Sequence, residues 1–233
     1  MTRQARLNAF LATTKGNLIV SCQALEDEPL HGASIMARMA VAAQEGGAVA
    51  IRANSPQDIR AIKAEVPLPI IGIYKEGDNG VFITPTFEHA KQIAEAGADI
   101  IALDATQRPR PDNVPLAELI QRIHEELDLP IFADVSTLEE AEYAQSCGVD
   151  IIAPTLAGYT PYTTATEGPD FALIQTLVST LHTPIIAEGR IQTPQDARHA
   201  LDLGVHSVVV GSAITRPQII TRWFAQALHS SST

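Results

Sequence analysis

"GADIIALD", residues 97–104, closes one helix-like stretch and opens a run of apolar residues, and the chain writes that junction four times. The other copies are "GAVAIRA" from Gly47, "GVDIIAPT" from Gly148 and "GVHSVVVG" from Gly204. Helical patterns such as "TFEHAKQIAEA" and "TPQDARHALDL" precede the glycine. A helix commonly ends on a residue of positive φ, which glycine adopts without a Cβ penalty. The β-branched run that follows fits a buried strand. A second pattern interleaves with the first: "LPIIGIYK" at 68, "LPIFADVS" at 129 and "TPIIAEGR" at 183. There proline opens the strand, where its missing N–H costs least.

Read in order, these patterns predict strands near 17–22, 49–53, 70–74, 100–104, 131–135, 151–155, 185–188 and 207–211, each followed by a helical pattern. Strands that alternate with helices pair in parallel, because each crossover needs a helix. Eight such units in 233 residues fit a closed (β/α)₈ TIM barrel better than an open doubly wound sheet. The segment 2–14 predicts an extra N-terminal helix that plugs the bottom of the barrel. No linker or low-complexity run divides the chain, so residues 1–233 are expected to form one domain.

Composition bounds the function. A 45% hydrophobic and 18% charged chain is an ordinary globular composition. A net charge of −11 argues against a nucleic-acid or anionic-membrane surface, so any anionic ligand must be held by a few local cations and backbone N–H groups. Cys22 and Cys147 form no metal or redox motif, and the seven histidines show no metal-ligand spacing. The first residues lack the apolar core of a signal peptide, and no stretch reaches bilayer-spanning length. A soluble, cytoplasmic protein is the expectation.

Barrel strands point alternate residues inward, and barrel active sites form at the strands' C-terminal ends. Counted from the proline, Asp134 and Glu188 lie four residues along and Lys75 six, so all three share a face. Counted from the glycine, Arg52 lies at +5 and Asp104, Thr155 and Gly211 at +7, again on one face. Taken as the interior, this parity fills the mouth with Arg52, Lys75, Asp104, Asp134, Thr155 and Glu188, and Gln23 follows strand 1. Asp104 could equally cap its own turn, and Thr155 could simply begin a loop. Strands 3 and 7 face each other across an eight-stranded ring, so Lys75 and Glu188 would reach in from opposite walls. An amine and a carboxyl flanking one cavity suit proton abstraction next to a carbonyl, followed by proton return. With an unperturbed pKa of about 10.4, roughly one lysine in a few thousand is neutral at pH 7. Burial and Arg52 would lower that value, while Glu188 and Asp134 would raise it. Alternatively Lys75 stays protonated and stabilises an enolate, or it forms a Schiff base.

Loops after the last two barrel strands often bind phosphate. Gly189, Gly211 and Ser212 would allow close backbone approach there, and Arg216 adds a bidentate charge. Arg190, next to Gly189, is grouped with them. In the long segment "LAGYTPYTTATEGPDF" after strand 6, Tyr159 is the foremost candidate ligand contact. His31 reads as a loop residue, and "LEDEP" at 25–29 as solvated surface.

The motifs "SCQALEDEPLHG", "AIRAN", "IGIYKEGD", "ITPTFEHA", "ALDATQRPRP", "FADVSTLEEA", "GYT", "IIAEGRI" and "VVVGSAITRPQIIT" together resemble the N-acetylmannosamine-6-phosphate 2-epimerase family, from about Leu18 to Thr221. The resemblance implies a (β/α)₈ barrel that interconverts N-acetylmannosamine 6-phosphate and N-acetylglucosamine 6-phosphate in amino-sugar breakdown, without metal or organic cofactor. It implies Lys75 as the catalytic lysine, Glu188 as its acidic counterpart, Gln23, Arg52 and Asp134 as substrate contacts, and Arg216 as the phosphate arginine. A homodimer is expected for this barrel type. The departures are His31, where tyrosine is common, and Arg190, where lysine is common. A barrel that binds a sugar phosphate only as a sensor would need neither Lys75 nor Glu188.

Overall fold

A computed structural model describes residues 1–77 and 80–229. Eight strands run in parallel: β1 (Leu18–Cys22), β2 (Ala50–Asn54), β3 (Ile70–Ile73), β4 (Ile100–Asp104), β5 (Ile131–Asp134), β6 (Ile151–Ala153), β7 (Ile186–Ala187) and β8 (Ser207–Val210). Their order is β6-β5-β4-β3-β2-β1-β8-β7. A parallel bridge between Ile152 and Ile185 closes the ring, making it the expected barrel. Between the strands lie α2 (Ala33–Glu45), α3 (Pro56–Glu65), α4 (Phe87–Glu95), α5 (Leu116–Arg122, continued by a π-helical turn Ile123–Leu127), α6 (Leu138–Ser146), α7 (Phe171–Thr180) and α8 (Pro194–Asp202). The short α9 (Ser212–Thr215) and α10 (Pro217–His229) follow β8. Ahead of the barrel lies α1 (Arg3–Thr14).

The two repeats have separate physical jobs. After α4, Gly97 takes φ 103°, its N–H donates to Ala94 O (3.0 Å) and Ala98 N–H donates to Ile93 O (3.1 Å). That pair of bonds caps two orphan carbonyls and turns the chain into β4. The same two bonds recur around Gly47 and Gly148. The proline units begin a strand from the other side. Pro69, Pro130 and Pro184 donate nothing, yet their carbonyls accept from Ile51, Ile101 and Ile152 of the neighbouring strands (3.0, 2.9 and 3.1 Å). Strands β6 and β7 are shorter than expected. Pro154 has no N–H to extend the β6 ladder, and beyond Ala187 the chain turns through Gly189.

Alternation splits the apolar residues into two cores. Ile51, Ile101, Ile131 and Val208 face outward, under the helices. Ile19, Ala50, Ile71, Ile100, Phe132, Ile151, Ile186 and Val209 fill the barrel interior, where Leu7 and Phe10 of α1 join them. The N-terminal helix therefore plugs the bottom, as its amphipathic pattern predicts. Burial of each such large side chain stabilises by about 1.5–3 kcal/mol. The lower half is filled mainly by apolar residues, with Ser207 of β8 a buried polar exception, and the charged side chains gather at the upper end. No helix among the described residues is long and apolar enough to cross a membrane.

Candidate active site

Every strand-end residue assigned by parity faces inward, since each continues the alternation of interior residues below it: Arg52 above Ala50, Lys75 above Ile71 and Ile73, Asp134 above Phe132, Glu188 above Ile186. At the centre is Arg52, only 1% exposed. It reaches from β2 across the ring, donating through Nη1 and Nη2 to the two Asp134 oxygens (3.0 and 2.6 Å) and through Nη1 to Glu188 Oε2 (2.9 Å). Thr155 Oγ1 donates to Asp134 Oδ1 at 2.6 Å. The guanidinium carbon lies 5.1 Å from the Phe132 ring centroid, a cation–π contact from below. Burial opposes the charge on Arg52, but Asp134 and Glu188 more than offset it and hold the guanidinium protonated. Three strands are thus tied together by one cation.

Above this group opens a cavity of about 540 Å³. Lys75 and Glu188 both line it, from strands four places apart in the ring of eight. Burial, helped by Arg52 and Arg216, lowers the Lys75 amine from 10.5 to about 8, outweighing the pull of Glu188 and Asp134. At that value about one amine in ten is neutral at pH 7. Glu188 is displaced the other way. Burial raises its carboxyl from 4.5 to about 7, against the opposing field of Arg52. Two groups with ordinary values six units apart (10.5 and 4.5) are brought to about 8 and about 7, close to each other and to neutrality. The Lys75 backbone is fixed as well: its N–H donates to Asn54 Oδ1 (2.9 Å), and Lys75 bridges Ile83 in an antiparallel turn. Asp78, the last residue of "IGIYKEGD", lies outside the described residues.

The other predicted residues divide between wall and floor. Gln23, Thr155, Tyr159, Gly189, Arg190, Gly211, Ser212 and Arg216 line the cavity. Gln23 donates its amide to Ser21 Oγ at 2.7 Å. Arg52 and Asp134 lie beneath the cavity, in the floor, and do not line it. Asp104 is fully buried, but it accepts from Thr106 N–H and Oγ1 (3.0 and 2.7 Å) and from Arg108 (2.5 Å), so it caps its own turn. Arg190 stacks 4.4 Å from the Tyr159 ring centroid and donates to Ala157 O at 2.7 Å, tying the loop after β6 to the end of β7. His31 contacts the Ala24 carbonyl at 3.2 Å. The "LEDEP" expectation needs correction at one residue: Glu28 turns inward onto Arg216 (2.8 Å).

Sequence reasoning missed several wall residues. Ser21 was within reach, because Ile19, Ser21 and Gln23 alternate. Trp223, from α10, and Phe82, from the turn after Lys75, were not, since neither sits at a strand end. Among the described residues, no three His, Cys, Asp or Glu side chains are grouped so as to hold a metal ion.

An amine and a carboxyl group brought near neutrality over one cavity, at the C-terminal mouth of a (β/α)₈ barrel, mark an enzyme. Comparison with known proteins gives its kind. The family model described as "Putative N-acetylmannosamine-6-phosphate epimerase" matches residues 36–230. The chain is 54% identical to a protein named "Putative N-acetylmannosamine-6-phosphate 2-epimerase" in Clostridioides difficile, over 94% of this chain and 99% of that one. It is 49% identical to a namesake in Cutibacterium acnes, over 94% and 96%. A solved N-acetylmannosamine-6-phosphate 2-epimerase from Clostridium perfringens superposes with a TM-score of 0.91 at 49% identity, over 93% of this chain and 95% of that one. GGGPS from Thermoplasma volcanium, at 15% identity and a TM-score of 0.62, shares the fold. The chain belongs to the N-acetylmannosamine-6-phosphate epimerase family and is a carbohydrate epimerase of the isomerase class.

Proposed function

We propose that this chain interconverts N-acetylmannosamine 6-phosphate and N-acetylglucosamine 6-phosphate by taking a proton from C2 and returning it to the other face. In the open-chain sugar that proton is α to the C1 aldehyde, so its removal leaves an enolate. The observation that carries the proposal is the pairing of Lys75 and Glu188 on opposite walls of one cavity, with ionisations near 8 and 7. Lys75 in its neutral form is the base, and protonated Glu188 is the donor across the cavity. Arg52 in the floor, with Asp134 and Thr155 behind it, holds Glu188 in place and adds positive potential beneath the enolate. Gln23 and Tyr159 contact the sugar. At the rim, Arg216, Ser212, Gly211, Gly189 and Arg190 receive the phosphate, and these steps use only groups of this chain.

One observation favours a second division of labour. Glu188 is tethered to Arg52 at 2.9 Å, which suits a carboxylate that orients the substrate while Lys75 makes both transfers. An NMR turnover assay on both hexosamine phosphates in D₂O tests the function, with incorporation of solvent isotope at C2 as the readout. Lys75→Ala should abolish exchange. Glu188→Gln should abolish epimerisation but keep exchange if Lys75 abstracts and Glu188 returns the proton. Exchange by Lys75→Ala at the wild-type rate would defeat the assignment of the base.

The same proposal places the enzyme in the cytoplasm, in sialic acid and N-acetylmannosamine breakdown, since a doubly charged sugar phosphate does not cross a bilayer unaided. It also includes a homodimer. Helix α10 has no buried residue and exposes Phe224 (71%) and Leu228 (85%), an apolar face that a second copy would cover. Sedimentation of Phe224→Lys beside the wild type tests this, with a loss of mass by half expected.

A further inference from the structure

In the acidic run after β1, Leu25, Glu26 and Asp27 are exposed, whereas Glu28 folds back toward the barrel mouth. Its carboxylate accepts from Arg216 Nη2 (2.8 Å), Gln218 Nε2 (2.9 Å) and Leu25 N–H (2.8 Å). The Glu28 side chain is 16% exposed and that of Arg216 is 24%. This contact joins the loop after β1 to the α9–α10 junction, 188 residues further along the chain. Arg216 lines the cavity beside Ser212, its Nη1 lying 3.5 Å from Ser212 Oγ. A carboxylate at the anion end of a site is at first sight misplaced, because it repels what the site is built to hold.

Its geometry explains it. An arginine at a half-open rim has many rotamers to surrender when it grips a ligand. A carboxylate that holds one edge of the guanidinium sets the plane of the fork in advance and leaves other donors free. We propose that Glu28 is a positioning residue for the anion end of this site: it fixes Arg216 in the orientation that receives a phosphate monoester, and acts through that arginine rather than on the substrate. The identity of the anion as the sugar's phosphate rests on the proposed function. The opposite role, a carboxylate that competes with the anion for Arg216, makes the reverse prediction.

Trp223 is the only tryptophan of the chain and lines the same cavity as Arg216, so its fluorescence reports ligand binding without turnover. Wild type, Glu28→Ala and Glu28→Gln are titrated with inorganic phosphate, with thermal melts to confirm folding. The dissociation constant should rise about 10-fold in Glu28→Ala and by about 3-fold or less in Glu28→Gln, which is isosteric and keeps one acceptor oxygen on the guanidinium. In turnover, KM for the hexosamine 6-phosphate should rise with it while kcat stays within about 3-fold, and KM for the unphosphorylated hexosamine should not move. Phosphate binding by Glu28→Ala as tight as, or tighter than, that of the wild type would overturn the proposal. So would an equal rise in KM for both sugars. A wild type that turned over neither hexosamine phosphate would defeat the proposed function instead, and the phosphate titration would still decide the role of Glu28.

Discussion

Replacing Arg52 by methionine tests the centre of the site. The change keeps much of the side chain's bulk and removes one charge that makes three bonds to two carboxylates: 3.0 and 2.6 Å to Asp134, and 2.9 Å to Glu188. Breaking a buried ion pair from one side leaves its partner charged and unpaired, at a cost of about 3–5 kcal/mol. In a chain of 233 residues, each kcal/mol moves Tm by about 2–4 °C, so calorimetry should find a drop of about 6–20 °C. The same substitution should weaken the proposed base. Arg52 is among the causes that lower Lys75, so its loss sends the amine upward from about 8. If the amine returned all the way to its ordinary value, the neutral fraction at pH 7 would fall roughly 300-fold. Burial remains in the variant, so the loss of kcat/KM should stop short of that ceiling. In transfer between the two groups, the alkaline limb of the pH profile, set by Lys75, should shift toward higher pH. An Arg52→Met protein that melts within about 2 °C of the wild type, with its alkaline limb unmoved, would refute both the buried-pair cost and the electrostatic link to Lys75.

In the wild type, transfer between Lys75 and Glu188 gives a bell in kcat/KM with limbs near 7 and 8 in both directions, because the two productive protonation states carry the same number of protons. A profile that rises through about 8 and stays flat would instead assign both transfers to Lys75. For stability, the folded pKa of Lys75 lies below its unfolded value of 10.5, so its charge burdens the native state fully below about pH 8, and the burden fades as pH rises to 10.5. Lys75→Met should therefore melt several degrees above the wild type at pH 7, with the gap narrowing toward pH 10.5; a lower melt at pH 7 counts against the sign. Gly72→Ala places a Cβ 2.6 Å from Ala98 Cβ and 3.0 Å from Ile59 Cδ1, overpacking the contact between β3 and its helices. Denaturant titration should show a loss of about 1–3 kcal/mol, and no loss would mean that the helix layer yields more readily than its packing implies.

The barrel was legible because its signals are local. Gly97 ends a helix with two bonds that span six residues, and Pro130 begins a strand through its own carbonyl, so each junction is written where it forms. Parity is local too, which is why Lys75, Asp134 and Glu188 could be turned inward from spacing alone. Parity gives the direction of a side chain and leaves its depth open. Asp104 and Asp134 share a face and a register, opposite each other on β4 and β5. Yet Asp134 meets Arg52 from 82 residues away, while Asp104 turns to Thr106 two residues on. Arg52 is long enough to cross the ring, and so it lies under the cavity, where spacing alone had set it among the wall groups. Glu28 and Arg216 meet only because the closed ring sets the β1 and β8 loops side by side.

Under the proposed function a chain of net charge −11 has to attract a dianion, and the placement of its charges suits that task. Lys75, Arg190 and Arg216 line the cavity, against the carboxyls of Glu167 and Glu188. Glu188, near 7, is about half neutral at physiological pH, and it is bonded to a protonated Arg52 in the floor. The mouth is therefore locally positive on a negative molecule, in a partly walled space where salt screens little. The same burial that brings Lys75 down toward neutrality strengthens the field that binds the anion. In the proposed reaction base strength and anion binding are coupled through one arginine: Arg216 faces the rim and also lowers Lys75, so a phosphate that neutralised Arg216 should raise the amine's affinity for its proton at the moment it takes one from C2.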